Sequence, residues 1–296
     1  MEDYLYGNDL VSDLDQYSKD NYIRFQMPSH KGRNKRYPEL YALDINETFF
    51  SDNLNYPEDI MIKHEREAAD IFKVKSTIFT VNGATAAVIA SIMTSTRRGE
   101  KLLIPSNSHI SCYYGALFSG CEIVRLYIND YIGGVTLEEI QTALNKDPDI
   151  KTVFITNPTF FGCSTDIKSI CDYLYEHNIV CVIDESHGTH FNFSERYPKG
   201  ALSCKADIVI NSGHKTINGL TQCAMINLVS DRFPVEEIRF YLRMVQTTSP
   251  NYVLITSMIN AIRELKNITP KLDYLYDLYN ITTDRINKCN NFNYFP

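Results

Sequence analysis

Short apolar runs alternate with helical patterns along most of the chain, and this alternation restricts the fold more than any other feature. The runs are rich in β-branched residues and lie at 102–105, 122–128, 152–156, 180–185 and 206–212. Helical patterns separate most of them. Near-continuous apolar strands joined through helices form a parallel sheet that is covered on both faces. The sequence therefore predicts an α/β fold, with a mostly parallel sheet flanked by helices.

The two ends of the chain differ from this central pattern. Residues 1–50 are polar and aromatic, with a turn-rich stretch, and predict an irregular N-terminal arm. Residues 51–267 predict one large domain, in which the loop at VNGAT opens directly into an apolar helix. The chain after Val235 is mostly helical in pattern, with a break at 247–251, and residues 268–296 predict a helical tail.

Composition excludes several functional classes. The 296 residues carry a net charge of −7 without a basic block, so we expect no nucleic-acid partner and no anionic membrane surface. No apolar run approaches the roughly 18 residues that span a bilayer, and the N-terminus does not resemble a secretory signal. The 8 cysteines lack a CxxC pair, which indicates reduced thiols in a cytoplasmic protein. The histidine pair at 187 and 190 lacks a third zinc ligand, so we expect no metal site.

One carboxyl stands out at the end of an apolar run. Asp184 ends such a run, which places its side chain at the rim of a buried sheet. Ligand sites in open α/β sheets gather at the carboxyl ends of strands, and a buried acid there needs a positive partner. The pattern alone also fits a magnesium ligand or a helix cap.

Two further segments place polar groups at the same edge. Lys215 closely follows an apolar run, and we expect its amine to be partly desolvated and to act as a nucleophile. Ser212 and His214 beside it suit an anionic group. The residues NGAT at 82–85 enter a helix, whose first N–H groups make an anion seat. Taken singly, these features also fit a surface lysine and an ordinary helix cap.

Together the three features match the polar parts of one cofactor, pyridoxal 5′-phosphate (PLP). Lys215 would bind its aldehyde as a Schiff base, and Asp184 would keep its ring nitrogen protonated. The helix start at 83–85, with Ser212, would take its phosphate. The sequence therefore predicts a PLP site.

The motifs around these residues resemble a known family. Between about residues 27 and 263 the chain contains, in order, MPSHKGR, DNLNYP, TVNGATAA, IPSNSHIS, NPTFFG, VIDESHGTHF, ADIVINSGHKTINGLTQ and QTTSPNYVLITSMINA. This set resembles the large domain of the Orn/Lys/Arg decarboxylases. The resemblance implies PLP fold type I, which is the aspartate-aminotransferase-like fold, and makes residues 51–267 the PLP-binding domain.

The resemblance also implies a role for each matching residue. Lys215 is similar to the Schiff-base lysine, Asp184 to the partner of the ring nitrogen, and His109 to a histidine stacked on the ring. The remaining matches are Ser186 beneath the ring, His187 near the ring hydroxyl, Ala84, Thr85, Ser212 and His214 around the phosphate, and Thr248 reaching the phosphate of a partner subunit. From the residues alone, His109 also fits a cap of the following helix.

These roles imply decarboxylation of lysine, ornithine or arginine, a part in polyamine biosynthesis, and a homodimer with a shared active site. Two alternatives stay open. One is a PLP enzyme of another reaction type, such as an aminotransferase or an epimerase, because one fold serves many chemistries. The other is a shortened cofactor-binding subunit, or pseudoenzyme, that needs a partner.

Departures from the family pattern bear on the substrate. The family usually reads Arg-Asn-x-His-Lys-Ser where this chain has SNSHIS at 106–111, so two positive charges are lost. Ala84 replaces a residue that often carries a hydroxyl. The chain ends at Pro296, where the large domain of such enzymes ends. We therefore expect the family's C-terminal domain to be absent, either because the gene is shortened or because a separate polypeptide supplies that domain.

Overall fold

A computed structural model of the protein describes residues 6–20, 22–128 and 132–289. Seven strands form one sheet: β1 (Ser76–Thr80), β2 (Lys101–Pro105), β3 (Glu122–Leu126), β4 (Ile150–Thr156), β5 (Val180–Asp184), β6 (Ile208–Ser212) and β7 (Ala224–Leu228). Their order across the sheet is β1-β7-β6-β5-β4-β2-β3. Strand β7 is antiparallel to both neighbours, and the other pairs are parallel. The predicted α/β class with a mostly parallel sheet is confirmed.

Ten α-helices accompany the sheet in the described residues. They are α1 (Leu10–Lys19), α2 (Pro38–Leu43), α3 (Ile60–Phe72), α4 (Gly83–Ser95), α5 (Ile110–Ser119), α6 (Leu137–Lys146), α7 (Ile167–Glu176), α8 (Val235–Val245), α9 (Tyr252–Glu264) and α10 (Thr269–Asn287). None of the described helices is long and apolar enough to cross a membrane.

Strand alternation divides the core between two faces of the sheet. Ile210 of β6 and Ile226 of β7 pack into a cluster with α4, α5 and α8, and this side is called the front face below. Val209 and Met225, one position earlier, pack into the larger cluster on the opposite side, called the back face. Because side chains of a strand alternate between faces, neighbouring residues near the strand ends meet different surroundings.

Helix α4 is held rigidly on the front face. Every residue from Ala86 to Ser95 is buried, because small side chains let neighbouring helices approach closely. In α5, a Cβ atom added to Gly115 would lie 2.9 Å from Cβ of Ile92, so this position requires glycine. The tight packing fixes where the N-terminus of α4 points.

The prediction of an irregular arm over residues 1–50 is wrong where α1 and α2 form. Leu10, Leu14 and Tyr17 follow helical spacing and are buried in the back-face core. The backbone N–H of Leu10 donates to Nε2 of buried His64 at 3.1 Å. Burial lowers the pKa of His64, so the imidazole stays a neutral acceptor. The first helix is therefore part of the folded body.

Two strands were absent from the predicted pattern. The five predicted apolar runs correspond to β2–β6 and are confirmed. The sequence pattern missed β1 and β7, which form the antiparallel end of the sheet. Strand β1 reads STIFT and runs almost at once into the loop before α4, so it lacks the long apolar run of a central parallel strand.

Candidate active site

A cleft of about 770 Å³ lies at the carboxyl ends of β4, β5 and β6 on the front face. This is the edge where open α/β sheets bind ligands. The cleft is lined by Asn82, Gly83, Ala84, Thr85, Asn107, His109, Ser111, Thr156, Thr159, Phe160, Phe161, Asp184, Ser186, His187, Ser212, His214, Lys215, Thr221 and Gln222. The structure therefore brings together every predicted site residue except Thr248.

The N-terminus of α4 opens into this cleft. Gly83 has φ +74°, a left-handed conformation that favours glycine, and its N–H donates to the carbonyl of Gln222 at 2.8 Å. Asn82 occupies the N-cap but makes no side-chain cap, because its Oδ1 accepts the backbone N–H of Thr247 at 3.2 Å. The helix start at Ala84 therefore presents backbone donors without a side-chain cap, as an anion seat requires.

Asp184 is the last residue of β5 and is buried at 6% exposure. Its Oδ1 accepts the N–H of Ser186 at 3.1 Å. No ion pair joins it to a cation in the part of the chain that the structure describes. Burial raises the pKa of the nearby Cys112 thiol to about 12, with Asp184 adding to the effect, so this thiol is not a nucleophile. The carboxyl thus lacks the positive partner that burial demands.

Three hydroxyl groups in the cleft are buried without a hydrogen-bond partner among the described residues. They belong to Thr156, Ser186 and Ser212, at the ends of three neighbouring strands. Buried polar atoms are nearly always paired, so each unpaired one needs an explanation. Since the three hydroxyls line one cleft, a single bound polar molecule could satisfy all of them.

Lys215 lies at the mouth of the cleft and is exposed, so the predicted partial desolvation is wrong for this structure. It sits in a turn closed by the N–H of Gly219, which donates to the carbonyl of Gly213 at 2.7 Å. Its Nζ is 3.1 Å from Nε2 of His187. Burial, followed by the charge of Lys215, lowers the pKa of His187. A neutral His187 accepts a hydrogen bond from the amine.

His109 caps α5 and also lines the cleft. Its Nδ1 lies 2.9 Å from Oγ of Ser111 and accepts the backbone N–H of that residue at 3.3 Å. The alternative of a capping histidine is therefore confirmed, and the cap leaves the ring beside the cleft. His214 lines the opposite part, with Nδ1 at 3.3 Å from the carbonyl of Cys223.

Thr248 does not line the cleft of its own chain. It is exposed and adjoins Thr247, which bonds to the N-cap of α4. Its predicted role concerns a partner subunit and stays a prediction.

Several cleft residues were missed by the sequence reasoning. The largest are Phe160 and Phe161, which are 76% and 53% exposed and lie at the rim. Their motif, NPTFFG, directly follows β4, and a strand end on this edge was the available signal. No group of three potential metal ligands lies within the described residues.

Comparisons with known proteins agree with this geometry. The family model "Orn/Lys/Arg decarboxylase, major domain" matches residues 9–273. The arginine decarboxylase of Bacillus subtilis is 30% identical over 293 residues, which cover 94% of this chain and 60% of that protein. The arginine decarboxylase of Bacillus anthracis is 29% identical over 273 residues, 88% of this chain and 55% of that protein. The chain thus spans less than two thirds of the length of these relatives.

Solved structures show the same fold. The constitutive lysine decarboxylase of E. coli superposes with a TM-score of 0.73 at 20% identity, covering 86% of this chain and 40% of that one. The serine palmitoyltransferase of Sphingomonas wittichii gives 0.63 at 17% identity, covering 91% and 61%. The predicted PLP fold type I is confirmed. Because the family model matches most of the chain, from α1 into α10, this protein belongs to the Orn/Lys/Arg decarboxylase family.

Proposed function

We propose that this protein is a PLP-dependent decarboxylase of lysine, ornithine or arginine that binds its cofactor as a Schiff base on Lys215. One observation carries the proposal. Among the residues that the structure describes, the cleft combines a buried carboxyl that pairs with no cation, Asp184, with a buried hydroxyl that has no partner, Ser212, and an exposed amine. These are the groups needed by a ring nitrogen, a phosphate and an aldehyde.

The residues of the cleft fit this cofactor. The phosphate is assigned to the α4 start at Ala84 and Thr85, with Ser212 and His214. The ring nitrogen is assigned to Asp184. His109 would stack on the ring, Ser186 would support it from beneath, and His187 would approach its hydroxyl. The unpaired hydroxyls of Ser186 and Ser212 support this arrangement, because a bound polar ligand satisfies them.

The protein's own groups divide the chemical work. When bound, PLP supplies an electron sink for the bond that breaks at the substrate Cα. Asp184 keeps the ring nitrogen protonated. His187 Nε2, 3.1 Å from Lys215 Nζ, accepts a hydrogen bond from the amine and orients it at the mouth of the cleft. Phe160, whose ring centroid is 6.1 Å from that of His187, contacts the imidazole edge-on at the rim.

Substrate choice requires groups beyond these. Of the described residues that line the cleft, Asp184 alone is acidic, and it is assigned to the cofactor. A basic substrate side chain therefore needs a further carboxyl or carbonyl partner from outside the cleft. We propose that a partner subunit, or a separate polypeptide, provides it. Residues 51–267 form the PLP-binding domain in this proposal, with 1–50 as an arm and 268–296 as a tail.

We further propose a homodimer with a shared active site. Apolar side chains are exposed beside the cleft along one stripe of α5, at Ile110, Tyr114, Leu117 and Phe118. Such a patch is typical of an interface. In an isologous dimer, Thr248 of one subunit would approach the phosphate seat of the other. Sedimentation of wild type and Leu117→Asp would test this; a wild-type monomer would contradict it.

The test of function is release of labelled carbon dioxide from carboxyl-labelled lysine, ornithine and arginine. We expect release from at least one of the three, and none from Lys215→Ala. Lys205→Ala is the matched control, because Lys205 is a half-exposed lysine outside the cleft that pairs with Asp172. PLP binding without release would favour an aminotransferase, an epimerase or a non-catalytic subunit. A wild-type protein that binds no PLP would contradict the proposal.

A further inference from the structure

Four buried polar residues form a hydrogen-bonded ladder across the back face of the sheet. Oγ1 of Thr77 donates to Oδ1 of Asn227 at 2.7 Å. Nδ2 of Asn227 donates to Oδ1 of Asn211 at 2.9 Å, and Nδ2 of Asn211 donates to Oε2 of Glu185 at 3.2 Å. All four residues are at most 2% exposed. The ladder therefore links β1, β7 and β6 to the residue that directly follows β5.

Glu185 is the end of this ladder and the centre of the turn after β5. Its second carboxyl oxygen accepts the N–H of Ala201 at 2.6 Å. Its backbone N–H donates to the carbonyl of Ile210 at 2.8 Å, and its carbonyl accepts the N–H of Gly188 at 2.9 Å. Asn211 also donates to that carbonyl, at 3.3 Å. Both the side chain and the backbone of Glu185 are thus fixed.

The approach at Gly188 shows how closely the turn packs on this side chain. A Cβ atom added to Gly188 would lie 2.8 Å from Cγ of Glu185. A larger residue at 188 would therefore displace the Glu185 side chain or the turn. The same turn carries Asp184, Ser186 and His187 into the cleft on the front face.

We propose that Glu185 is a positioning residue, which holds the turn that presents Asp184, Ser186 and His187 to the cleft. The expected effect on PLP binding rests on the proposed function, but the role of Glu185 in holding the turn concerns this chain alone. A binding constellation must be held within about 0.5 Å by the groups around it. The ladder does this from the opposite face of the sheet, where it does not compete with a ligand for space.

Glu185 supplies two buried acceptors to the turn, one on each carboxyl oxygen. Burial raises the pKa of Glu185 to about 8, against the opposing effect of the hydrogen bonds from Ala201 and Asn211. Glutamine matches the carboxyl in shape but keeps only one of the two acceptor oxygens. Glu185→Ala removes both carboxyl oxygens, so the N–H of Ala201 and the side-chain amide of Asn211 stay buried without these acceptors. This costs far more free energy than the loss of one hydrogen bond.

The test compares Glu185→Ala with Glu185→Gln at pH 7. Three quantities are measured: hydrogen exchange of peptides covering residues 182–191 in the cofactor-free protein, the Kd for PLP, and the pH midpoint of the absorbance of bound PLP. Glu65→Gln is the control. Glu65 is also buried, pairs with buried Arg239 and accepts the N–H of Phe79 at 3.0 Å, but it makes no hydrogen bond to the ladder.

For Glu185→Ala we expect faster exchange at 182–191 and about 10-fold weaker PLP binding. We also expect the absorbance midpoint to move by about one pH unit, because Asp184 is displaced from the ring nitrogen. Glu185→Gln keeps one of the two acceptors, so we expect all three quantities to lie between those of wild type and Glu185→Ala, and Glu65→Gln to change none of them. If Glu185→Ala does not fold, Thr77→Val provides a milder lesion at the far end of the ladder, with the same changes in smaller size.

Two outcomes would overturn the inference. One is unchanged exchange and PLP affinity in a folded Glu185→Ala or, if that variant is unfolded, in Thr77→Val. The other is Glu185→Gln behaving as badly as alanine at pH 7. A wild type that binds no PLP would instead contradict the proposed function, while the exchange measurement would still decide the role of Glu185.

Discussion

Buried polar side chains on the front and back faces of the sheet differ in whether they have partners, even where they are neighbours along the chain. On the front face, the buried hydroxyl of Ser212 has no hydrogen-bond partner among the described residues. The buried carboxyl of Asp184 pairs with no cation among them. On the back face, Asn211 and Glu185, each one position away along the chain, have their amide and carboxyl groups hydrogen-bonded. Burial is the same on both faces, and the difference lies in whether the polar atoms have partners.

This contrast separates binding from support. Buried polar groups that are fully paired stabilise one arrangement of the backbone. Buried polar groups without partners cost free energy in the empty protein and recover it when a ligand supplies the missing bonds. The paired groups of the back face therefore fix the geometry of the site, and the unpaired groups of the front face contribute to its affinity for a ligand. Substitutions on the two faces are expected to affect different quantities.

The largest effect is expected from Asp184→Asn on the front face. Decarboxylation should fall by roughly 10³-fold, because the group that stabilises charge at the ring nitrogen is neutralised. The free energy of unfolding of the cofactor-free protein should stay equal or rise, since a buried acid without a cation is removed. Steady-state rates and urea denaturation measure the two quantities. A large loss of stability would contradict the proposed difference between the two faces.

The back-face counterpart is Asn211→Ala. It leaves Oε2 of Glu185 without its donor and Nδ2 of Asn227 without its acceptor, so we expect a loss of about 3 kcal/mol in the free energy of unfolding. Urea denaturation of the cofactor-free protein measures this. A loss below about 1 kcal/mol would show that the ladder contributes little beyond ordinary surface bonds.

A smaller effect is expected from Ser212→Ala. The cofactor-free protein should be as stable as wild type, or up to about 1 kcal/mol more stable, because an unpaired buried hydroxyl is removed. The affinity for PLP should fall about 10-fold, as a hydrogen bond to a phosphate is lost. Titration by absorbance gives the affinity. Reduced stability with unchanged affinity would assign Ser212 to the supporting groups instead.

The last prediction concerns the dependence of stability on pH. The pKa of Glu185 in the folded protein, about 8, exceeds its ordinary value of 4.5. The folded state therefore binds an extra proton between these values, and its stabilisation is complete below pH 4.5 and is lost as pH rises to 8. Glu185→Gln cannot titrate. We expect the free energy of unfolding of wild type to fall relative to that of this variant across that pH range. The slope against pH corresponds to a difference of at most one bound proton, and paired urea titrations measure it.

The sequence predicted the front face better than the back face. Asp184 ends a short apolar run and Lys215 closely follows another, so the edge of the sheet was visible in the pattern. The helix start at 83–85 and Ser212 were visible in the same way, and a family resemblance added His109. The ladder was not predictable in this way. Thr77 and Asn227 are 150 positions apart, and both lie in the antiparallel strands that the apolar pattern missed. Partners so distant along the chain become neighbours only when the sheet forms.

The exposure of Lys215 was a second feature that the sequence did not predict. The position of Lys215 after a buried strand suggested partial desolvation, but the turn that follows β6 projects it to the mouth of the cleft. Strand pattern gives the end of a strand and not the path of the loop beyond it. The helical spacing of Leu10, Leu14 and Tyr17 was present in the sequence and was obscured by polar neighbours.

The most direct test of the account is to locate the cofactor chemically. The protein is incubated with PLP, reduced with borohydride to fix any Schiff base, digested, and mapped by mass spectrometry. We predict a reduced pyridoxyl phosphate adduct on the peptide containing Lys215, and no adduct at that position in Lys215→Ala. An adduct confined to other lysines, or no adduct in the wild-type protein, would contradict the assignment of Lys215 as the cofactor anchor.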